Sequence, residues 1–252
     1  PEHLATKRPI LYTSGDSVFQ VAAHEAVIDP PRLWEMCAVA RRHLTAPHHV
    51  GRVIARPFEG APGAFVRTAR RRDFSLPPHG PTFLDRASGA GLRTFGIGKI
   101  VDIFAGRGLS GFAYSESDAD GLATTARRLA GGEDDFVFTN LVDFDSKYGH
   151  RSDPAGYAAN LRRLDAAIPA IRDALRADDL LFVTGDHGCD PTDASTDHTR
   201  EHVPLLAAGP AVRAGAAVGT RASFRDLAAT LEQWFGLEPR SGGTSALSDL
   251  LG

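Results

Sequence analysis

Residues 136–150 read FVFTNLVDFDSKYGH. The first half of this stretch, residues 136–142, is short, almost wholly apolar and rich in aromatic and β-branched side chains, which predicts a buried strand. Two carboxylates and an imidazole follow, on Asp143, Asp145 and His150. Ligands bind at the carboxyl ends of strands in α/β sheets, and carboxylates and imidazoles are common metal donors. The stretch predicts a metal site beside a sheet, with a polar turn and a surface histidine as the alternative.

A second predicted strand, residues 180–184, ends in a similar way. Asp186 and His187 follow it between two glycines, which let the backbone turn sharply enough to offer both side chains to one ion. His198 comes later in the same loop. The alternative is a tight turn capped by an aspartate. If the loops after both strands converge, their donors suit manganese, zinc or ferrous iron, and a pair of such ions can stabilise phosphoryl transfer.

The chain after residue 81 alternates between predicted strands and helices, which is typical of an open α/β sheet with parallel strands. The predicted strands are 92–97, 136–142, 180–184 and 203–207, and the predicted helices are 82–88, 117–129, 155–176 and 224–234.

The first part of the chain has a different pattern. We expect strands at 10–13 and 50–56 and helices at 18–25 and 31–44, with Pro57 ending the second strand. A proline-rich break at residues 76–81 divides the two patterns, so the sequence predicts a smaller domain, residues 1–76, and a larger one, residues 77–252.

Three further features are candidates for binding an anion. Lys99 is one of only three lysines and follows a predicted strand in a glycine-rich setting, where it either contacts phosphate or only extends into solvent. Arg52 and Arg56 share one face of a predicted strand and either meet a phosphate together or form a solvated face. The loop with Ser14 and Asp16 is polar, and a helix cap is its simpler interpretation.

The composition excludes several classes of protein. The 252 residues are 42% hydrophobic and 23% charged, with a net charge of −3, which argues against a general nucleic-acid or anionic-membrane binder. The apolar runs are too short to cross a membrane. Two cysteines, Cys37 and Cys189, cannot form a disulfide framework, so we expect a cytoplasmic protein.

Six motifs in chain order carry a family resemblance. They are YTSGDSVFQ (12–20), GRVIARPF (51–58), IGKI (97–100), VDFD (142–145), DHG (186–188) and DHTRE (197–201). Together they resemble the phosphopentomutases, which belong to the alkaline phosphatase superfamily. The resemblance implies an alkaline-phosphatase-like open sheet with helices on both faces and a smaller α+β cap domain. Residues 1–76 would be part of the cap, and residues 77–252 the carboxyl-terminal part of the metal-binding core.

The resemblance also implies an activity, the interconversion of ribose 1-phosphate and ribose 5-phosphate and of the deoxyribose pair in nucleoside catabolism. The partner is thus a small sugar phosphate, and the reaction passes through a phosphoenzyme and a bisphosphate. Two Mn²⁺ ions are implied, one held by Asp145, His150 and His198 and the other by Asp186 and His187. The residues that match the family's substrate contacts are Ser14, Asp16, Val18, Arg52, Ile54 and Lys99.

The sequence also departs from the family. Its members begin with a strand that carries a metal-binding aspartate and a loop with the acceptor threonine, and neither has a counterpart here. We therefore expect that an N-terminal segment is missing, that no catalytic residue is identifiable, that the second metal site is incomplete and that this chain alone is inactive. Two alternatives are a metal-dependent phosphomonoester or sulfate-ester hydrolase of the same superfamily and a non-catalytic metal-binding fragment.

Overall fold

A computed structural model describes residues 1–14 and 17–251. The chain divides into two compact units: Pro1–His79 with Asp102–Gly106, and Gly80–Val101 with Arg107–Gly252. The assignment of residues 1–76 to a cap and of residues 77–252 to a core stays a prediction. Within the described ranges, no helix combines the length and the apolar character that crossing a membrane requires.

The first unit is built on a mixed sheet. Strand β1 is antiparallel to β2, β2 is parallel to β3, and both β4 and β5 are antiparallel to β3. The elements are α1 (Glu2–Thr6), β1 (Ile10–Ser14), β2 (Val18–His24), α2 (Pro30–His43), β3 (Arg52–Glu59), β4 (Val66–Arg67) and β5 (Arg72–Ser75).

Helix α2 covers one face of this sheet. Asp29 caps the helix by accepting a hydrogen bond from the Arg32 backbone N–H, and Pro30 occupies the first turn, where its missing N–H costs nothing. Leu33 and Cys37 on the helix pack into one buried cluster with alternate residues of the two central strands, namely Val21, Ala23, Val53 and Ala55. Since side chains alternate along a strand, Gln20, Ile54 and Arg56 belong to the opposite face.

Two expectations for this unit were wrong. Residues 18–25 do not form a helix, because Val18–His24 is strand β2, with β1 on one edge and β3 on the other. Its aromatic and β-branched side chains suit a strand that is paired on both sides. Pro57 does not end β3 either. Strand β5 pairs with residues 52–55 and β4 with residues 58–59, so Pro57 lies between them, where its missing N–H interrupts neither antiparallel ladder.

The second unit contains the alternating part of the chain. Its α/β class was predicted correctly. The elements are α3 (Phe83–Gly89), β6 (Thr94–Ile97), α4 (Ile100–Ile103), β7 (Gly111–Ala113), α5 (Asp118–Gly131), β8 (Phe136–Thr139), α6 (Pro154–Asp173), β9 (Leu181–Thr184), β10 (Leu205–Ala208), α7 (Arg225–Trp234) and α8 (Leu247–Leu251). α4 ends among the residues that group with the first unit.

The strands of this unit form two sheets. Strands β7, β6 and β8 are parallel in that order, and α5 is the crossover from β7 to β8, as the alternating pattern predicts. Strands β9 and β10 form a separate antiparallel pair, so the expectation of parallel strands throughout was wrong. The reason is the link between them: residues 185–204 contain no helix, and the chain turns back without a crossover.

A buried ion pair joins α3 to α7. The Glu232 side chain is completely buried and accepts hydrogen bonds from the Arg86 guanidinium and from the backbone N–H groups of Arg240 and Ser241. Burial opposes ionisation of this carboxyl, but the hydrogen bonds from Ser241, Arg240 and Arg86 together outweigh it and hold the pKa of Glu232 below its ordinary value. The carboxylate therefore stabilises the fold at neutral pH.

We expect Glu232→Gln to lower the free energy of unfolding at pH 7 by about 3 kcal/mol, because it leaves the Arg86 charge without its partner. The pKa of Glu232 is lowered by folding, so its contribution is present above the ordinary value of 4.5 and is lost as the pH falls through the lower folded value. Urea denaturation should therefore show a smaller difference between variant and unmodified protein well below pH 4.5 than at pH 7.

The matched control is Glu238→Gln, since Glu238 pairs with Arg240 on the surface, where both side chains are mostly exposed. Its free energy of unfolding should change by less than about 1 kcal/mol at either pH. Equal losses in the two variants would contradict the structural role of Glu232.

Candidate metal centre

The loop after β8 is fixed to two helices by a buried carboxylate pair. The Asp118 backbone N–H donates to Asp143 Oδ2 at 3.1 Å, and the Asp143 N–H donates to Asp118 Oδ1 at 2.9 Å. Asn160 on α6 donates to Asp118 at 2.7 Å, and the Lys147 ammonium lies 3.1 Å from Asp143. Both carboxylates are thus compensated although both are buried. Of the aspartates after β8, Asp143 positions the loop and leaves Asp145 for the site.

Two unusual helical turns then bring Asp145 and His150 together. Residues Phe144–Tyr148 form a π-helical turn and Gly149–Arg151 a 3₁₀ turn. As a result, Asp145 Oδ1 lies 3.1 Å from His150 Nε2. The other ring nitrogen of His150, Nδ1, is hydrogen bonded to the Thr196 carbonyl oxygen. A carbonyl only accepts, so Nδ1 carries the hydrogen, and the neutral ring has its lone pair on Nε2, towards Asp145.

The loop after β9 folds back on itself and returns His198 to His187. Thr199 N–H donates to the Gly188 carbonyl at 2.8 Å, which closes the loop with an isolated β-bridge. A Cβ at residue 188 would overlap the Glu201 carboxylate and lie 2.8 Å from Thr199 Oγ1, so glycine allows this close approach without displacing either side chain. The imidazoles of His187 and His198 stack with ring centroids 3.7 Å apart.

The two loops converge on Asp145. Its Oδ1 lies 3.1 Å from Nε2 of both His150 and His198. Candidate ligand atoms lie within 4.8 Å of one another in two groups, and Asp145 belongs to both. The groups are Asp145 with His187 and His198, and Asp145 with His150 and Cys189. Asp186 lies at the edge, with Oδ1 3.7 Å from His187 Nε2 and 68% of its side chain exposed. His187 therefore lies beside both Asp186 and Asp145, and the pair of Asp186 and His187 at a second ion stays a prediction.

The sequence reasoning did not include Cys189 among the candidates. The feature of the sequence that could have indicated Cys189 is its position, two residues after His187 in the same loop. The side chain is half-buried, and burial together with the charges of Asp145 and Asp190 raises the pKa of its thiol.

The donors of this cluster fit a divalent cation. The neutral His150 ring would place a lone pair on Nε2 against an Asp145 oxygen 3.1 Å away, so two acceptors would face each other. Either a second proton on the ring or a cation must lie between them. A carboxylate surrounded by imidazoles suits a borderline divalent metal, and the hydrogen bond from Nδ1 to a backbone carbonyl is the usual support of a metal-binding histidine.

Lys99 lies at the carboxyl end of β6. Gly98, directly after β6, has a φ of 76°, which favours glycine. A Cβ at this position would also overlap the carbonyl oxygen of Asn140, the residue that follows β8, so the chain can pass this close only with glycine here. Lys99 itself is exposed. Its contact with phosphate stays a prediction.

The other predicted substrate contacts lie in the first unit. Ser14 ends β1 and accepts a hydrogen bond from Gln20 at 3.3 Å, and Asp16 lies outside the described residues. Val18 is buried at the start of β2 and is paired with Arg52, while Ile54 is buried in β3. Their roles in binding also stay predictions.

Comparison with known proteins agrees with this cluster. Residues 98–239 match the family model of the Metalloenzyme superfamily, and this range contains Lys99 and both loops. The chain belongs to the Metalloenzyme superfamily. Members of this superfamily depend on metal, so the carboxylate and imidazole cluster has the chemistry that membership requires.

Curated relatives of this metalloenzyme chain confirm the predicted resemblance. It is 54% identical to the phosphopentomutase of Carboxydothermus hydrogenoformans, over 96% of this chain and 62% of that protein. It is 50% identical to the phosphopentomutase of Caldanaerobacter subterraneus subsp. tengcongensis, over 99% of this chain and 63% of that protein. The chain therefore spans less than two thirds of the length of these relatives.

A solved structure shares the fold. The phosphoglycerate mutase of Leishmania mexicana superposes with a TM-score of 0.50 at 19% identity, over 65% of this chain and 38% of that one. At this identity the likeness concerns the fold alone.

We expect Asp118→Ala to weaken both the fold and the binding of Mn²⁺. The substitution leaves the Asp143 N–H and the buried Asn160 amide without their acceptor, and each unsatisfied buried group costs about 1–3 kcal/mol. Urea denaturation measures the loss of stability, and titration calorimetry with MnCl₂ on the folded variant measures the affinity, which should fall about tenfold or more because the loop that carries Asp145 is released.

Asp120→Ala is the matched control. Asp120 lies on the same helical turn, and among the described residues its carboxylate accepts one hydrogen bond, from the Glu116 N–H at 3.1 Å. This variant should keep the affinity for Mn²⁺. If both variants bind Mn²⁺ as the unmodified protein does, the buried pair does not position the site.

Proposed function

We propose that the whole protein is a phosphopentomutase, an isomerase that interconverts ribose 1-phosphate and ribose 5-phosphate and the corresponding deoxyribose phosphates. The observation that carries the proposal is the position of Asp145, whose Oδ1 lies 3.1 Å from Nε2 of both His150 and His198. This arrangement occurs in a chain at least 50% identical to two phosphopentomutases over nearly its whole length.

We propose that the converging loops hold two Mn²⁺ ions. By the family resemblance, Asp145, His150 and His198 would hold one ion, and Asp186 and His187 would contribute to the other. When bound, such ions supply Lewis acidity that neutralises charge on phosphoryl oxygens. The hydrogen bond between His150 Nδ1 and the Thr196 carbonyl keeps that ring in the tautomer and orientation that metal binding needs.

The remaining candidates would bind the sugar phosphate. Lys99 offers an exposed ammonium group at the carboxyl end of β6, the usual ligand-binding edge of a parallel sheet. In the first unit, Arg52 would bind phosphate through its guanidinium, and Ile54 would supply apolar contact. Ser14, Asp16 and Val18 would contact the pentose, which a mutase has to hold in two orientations.

The transfer would proceed in two steps. A phosphoryl group leaves an oxygen of the enzyme for the free hydroxyl of the sugar monophosphate, which gives a bisphosphate. The phosphoryl group at the other end of the sugar then returns to the same enzyme oxygen, so the enzyme is restored and the phosphate has changed position. We assign no acceptor residue among those that the structure describes. The setting would be nucleoside catabolism in the cytoplasm, where the two free cysteines stay reduced.

The test is an assay of the protein as its gene encodes it, with ribose 1-phosphate and Mn²⁺ supplied and ribose 5-phosphate measured by a coupled reaction. We expect ribose 5-phosphate to form without release of inorganic phosphate. His198→Ala should lower the rate about a hundredfold or more, because it removes a nitrogen that faces Asp145.

His48→Ala is the control, since His48 is an exposed histidine of the first unit and should leave the rate unchanged. Release of inorganic phosphate alone would contradict the mutase and support a hydrolase of the same superfamily. Metal binding without any turnover would support a non-catalytic protein.

A further inference from the structure

A buried amide in the first unit takes no part in the function proposed above. Gln20 is only 6% exposed and lies on the face of the sheet opposite to α2. It is paired with Tyr12 on β1 and with Ile54 on β3, so its side chain lies at the middle of three strands. A buried amide is costly unless it is hydrogen bonded, so the partners of Gln20 show what it does.

Gln20 joins two side chains that belong to different strands. Its Oε1 accepts a hydrogen bond from Arg56 Nε, and its Nε2 donates to Ser14 Oγ at 3.3 Å. Ser14 is paired with Val18, two residues before Gln20. Arg56 is paired with Ala22, two residues after Gln20. All three side chains therefore share one face and form a series of hydrogen bonds from β3 through β2 to β1.

The guanidinium of Arg56 sets the direction of this series. A guanidinium only donates hydrogen bonds, so the oxygen of the Gln20 amide has to face Arg56, and the NH₂ group has to face Ser14. The opposite orientation of the amide would place two donors against each other. Ser14 Oγ is therefore an acceptor on the side of Gln20, and the hydrogen of its hydroxyl points in another direction.

We propose that Gln20 is a positioning residue for the sugar phosphate: it holds the Ser14 hydroxyl in the direction in which it donates to an oxygen of the bound ligand. The inference rests on the part of the proposed function that gives Ser14 a contact with the sugar phosphate. Arg56 acts one step further back, because it orients the amide of Gln20. A donor whose direction is fixed before binding loses less rotational freedom when the ligand binds.

Gln20→Glu tests the proposal, because it reverses the hydrogen bond to Ser14 with little change of shape. Both carboxylate oxygens accept, so the bond from Arg56 is kept, but the Ser14 hydroxyl now donates to residue 20. In the protein as its gene encodes it, the KM for ribose 1-phosphate should rise about tenfold. The kcat should stay within about twofold, because a contact that is kept throughout the reaction affects KM alone.

Gln20→Met is a second variant that adds no charge. It removes the hydrogen bond to Ser14 and lets the hydroxyl rotate, so the KM should rise about threefold. The matched control is Gln233→Glu, which makes the first change at an exposed glutamine of α7 and should leave the KM unchanged.

A double-mutant cycle separates positioning from a merely structural role. In a protein that carries Ser14→Ala, either Gln20 variant should change the KM by less than about twofold, because no hydroxyl is left to orient. An effect as large as in the presence of Ser14 would mean that the added charge or a disturbed sheet raises the KM, and would overturn the inference.

The outcomes also separate this inference from the function on which it rests. If ribose 5-phosphate forms and Ser14→Ala raises the KM but neither Gln20 variant does, the positioning role is wrong and the mutase remains. If Ser14→Ala leaves the KM unchanged, the contact of Ser14 with the ligand and the role of Gln20 are both contradicted. If no ribose 5-phosphate forms, the proposed function fails, and this inference fails with it.

Discussion

Asp118 and Asp143 each accept a hydrogen bond from the backbone N–H of the other, and the rest of the site depends on this pair. Two buried carboxylates in one hydrogen-bonded pair are costly unless further donors compensate their charge. The Asn160 amide and the Lys147 ammonium provide that compensation. These contacts fix the loop after β8 to helices α5 and α6. The position of Asp145 depends on them, because Asp145 lies in that loop.

The second constraint is the return of the chain between β9 and β10. Since residues 185–204 form no crossover helix, they remain a loop closed by the bridge between Gly188 and Thr199. That closure stacks His187 on His198, so that His198 lies 3.1 Å from Asp145 and a ring nitrogen of His187 lies within 4.8 Å of it. The antiparallel pairing of β9 and β10, which departs from a regular parallel sheet, therefore allows the cluster around Asp145 to form. At His150 a lone pair on Nε2 would face an Asp145 oxygen 3.1 Å away, and either a second proton on the ring or a divalent cation between the two atoms relieves that contact.

Much of this site could be predicted from the sequence because the chemistry follows strands. The apolar runs before Asp145 and Asp186 located the two loops correctly, and strand ends are where α/β sheets bind ligands. The different roles of Asp143 and Asp145 could not be predicted from the sequence, because an aspartate that positions a loop and an aspartate that binds a metal are the same residue type. Cys189 was not predicted as part of the cluster, because its position depends on packing against Gly149, which no local pattern reveals. In the fold, the prediction of a helix over residues 18–25 was wrong because pairing with β1 and β3 is not local information.

If the loops after β8 and β9 together form a cation site around Asp145, manganese should bind there. Anomalous diffraction from crystals soaked in MnCl₂, recorded on both sides of the manganese absorption edge, tests it most directly. We expect an anomalous peak within bonding distance of an Asp145 carboxylate oxygen and of Nε2 of His150 or His198. A well-ordered Asp145 with no peak beside it, or manganese bound only at other residues, would contradict a cation site at Asp145.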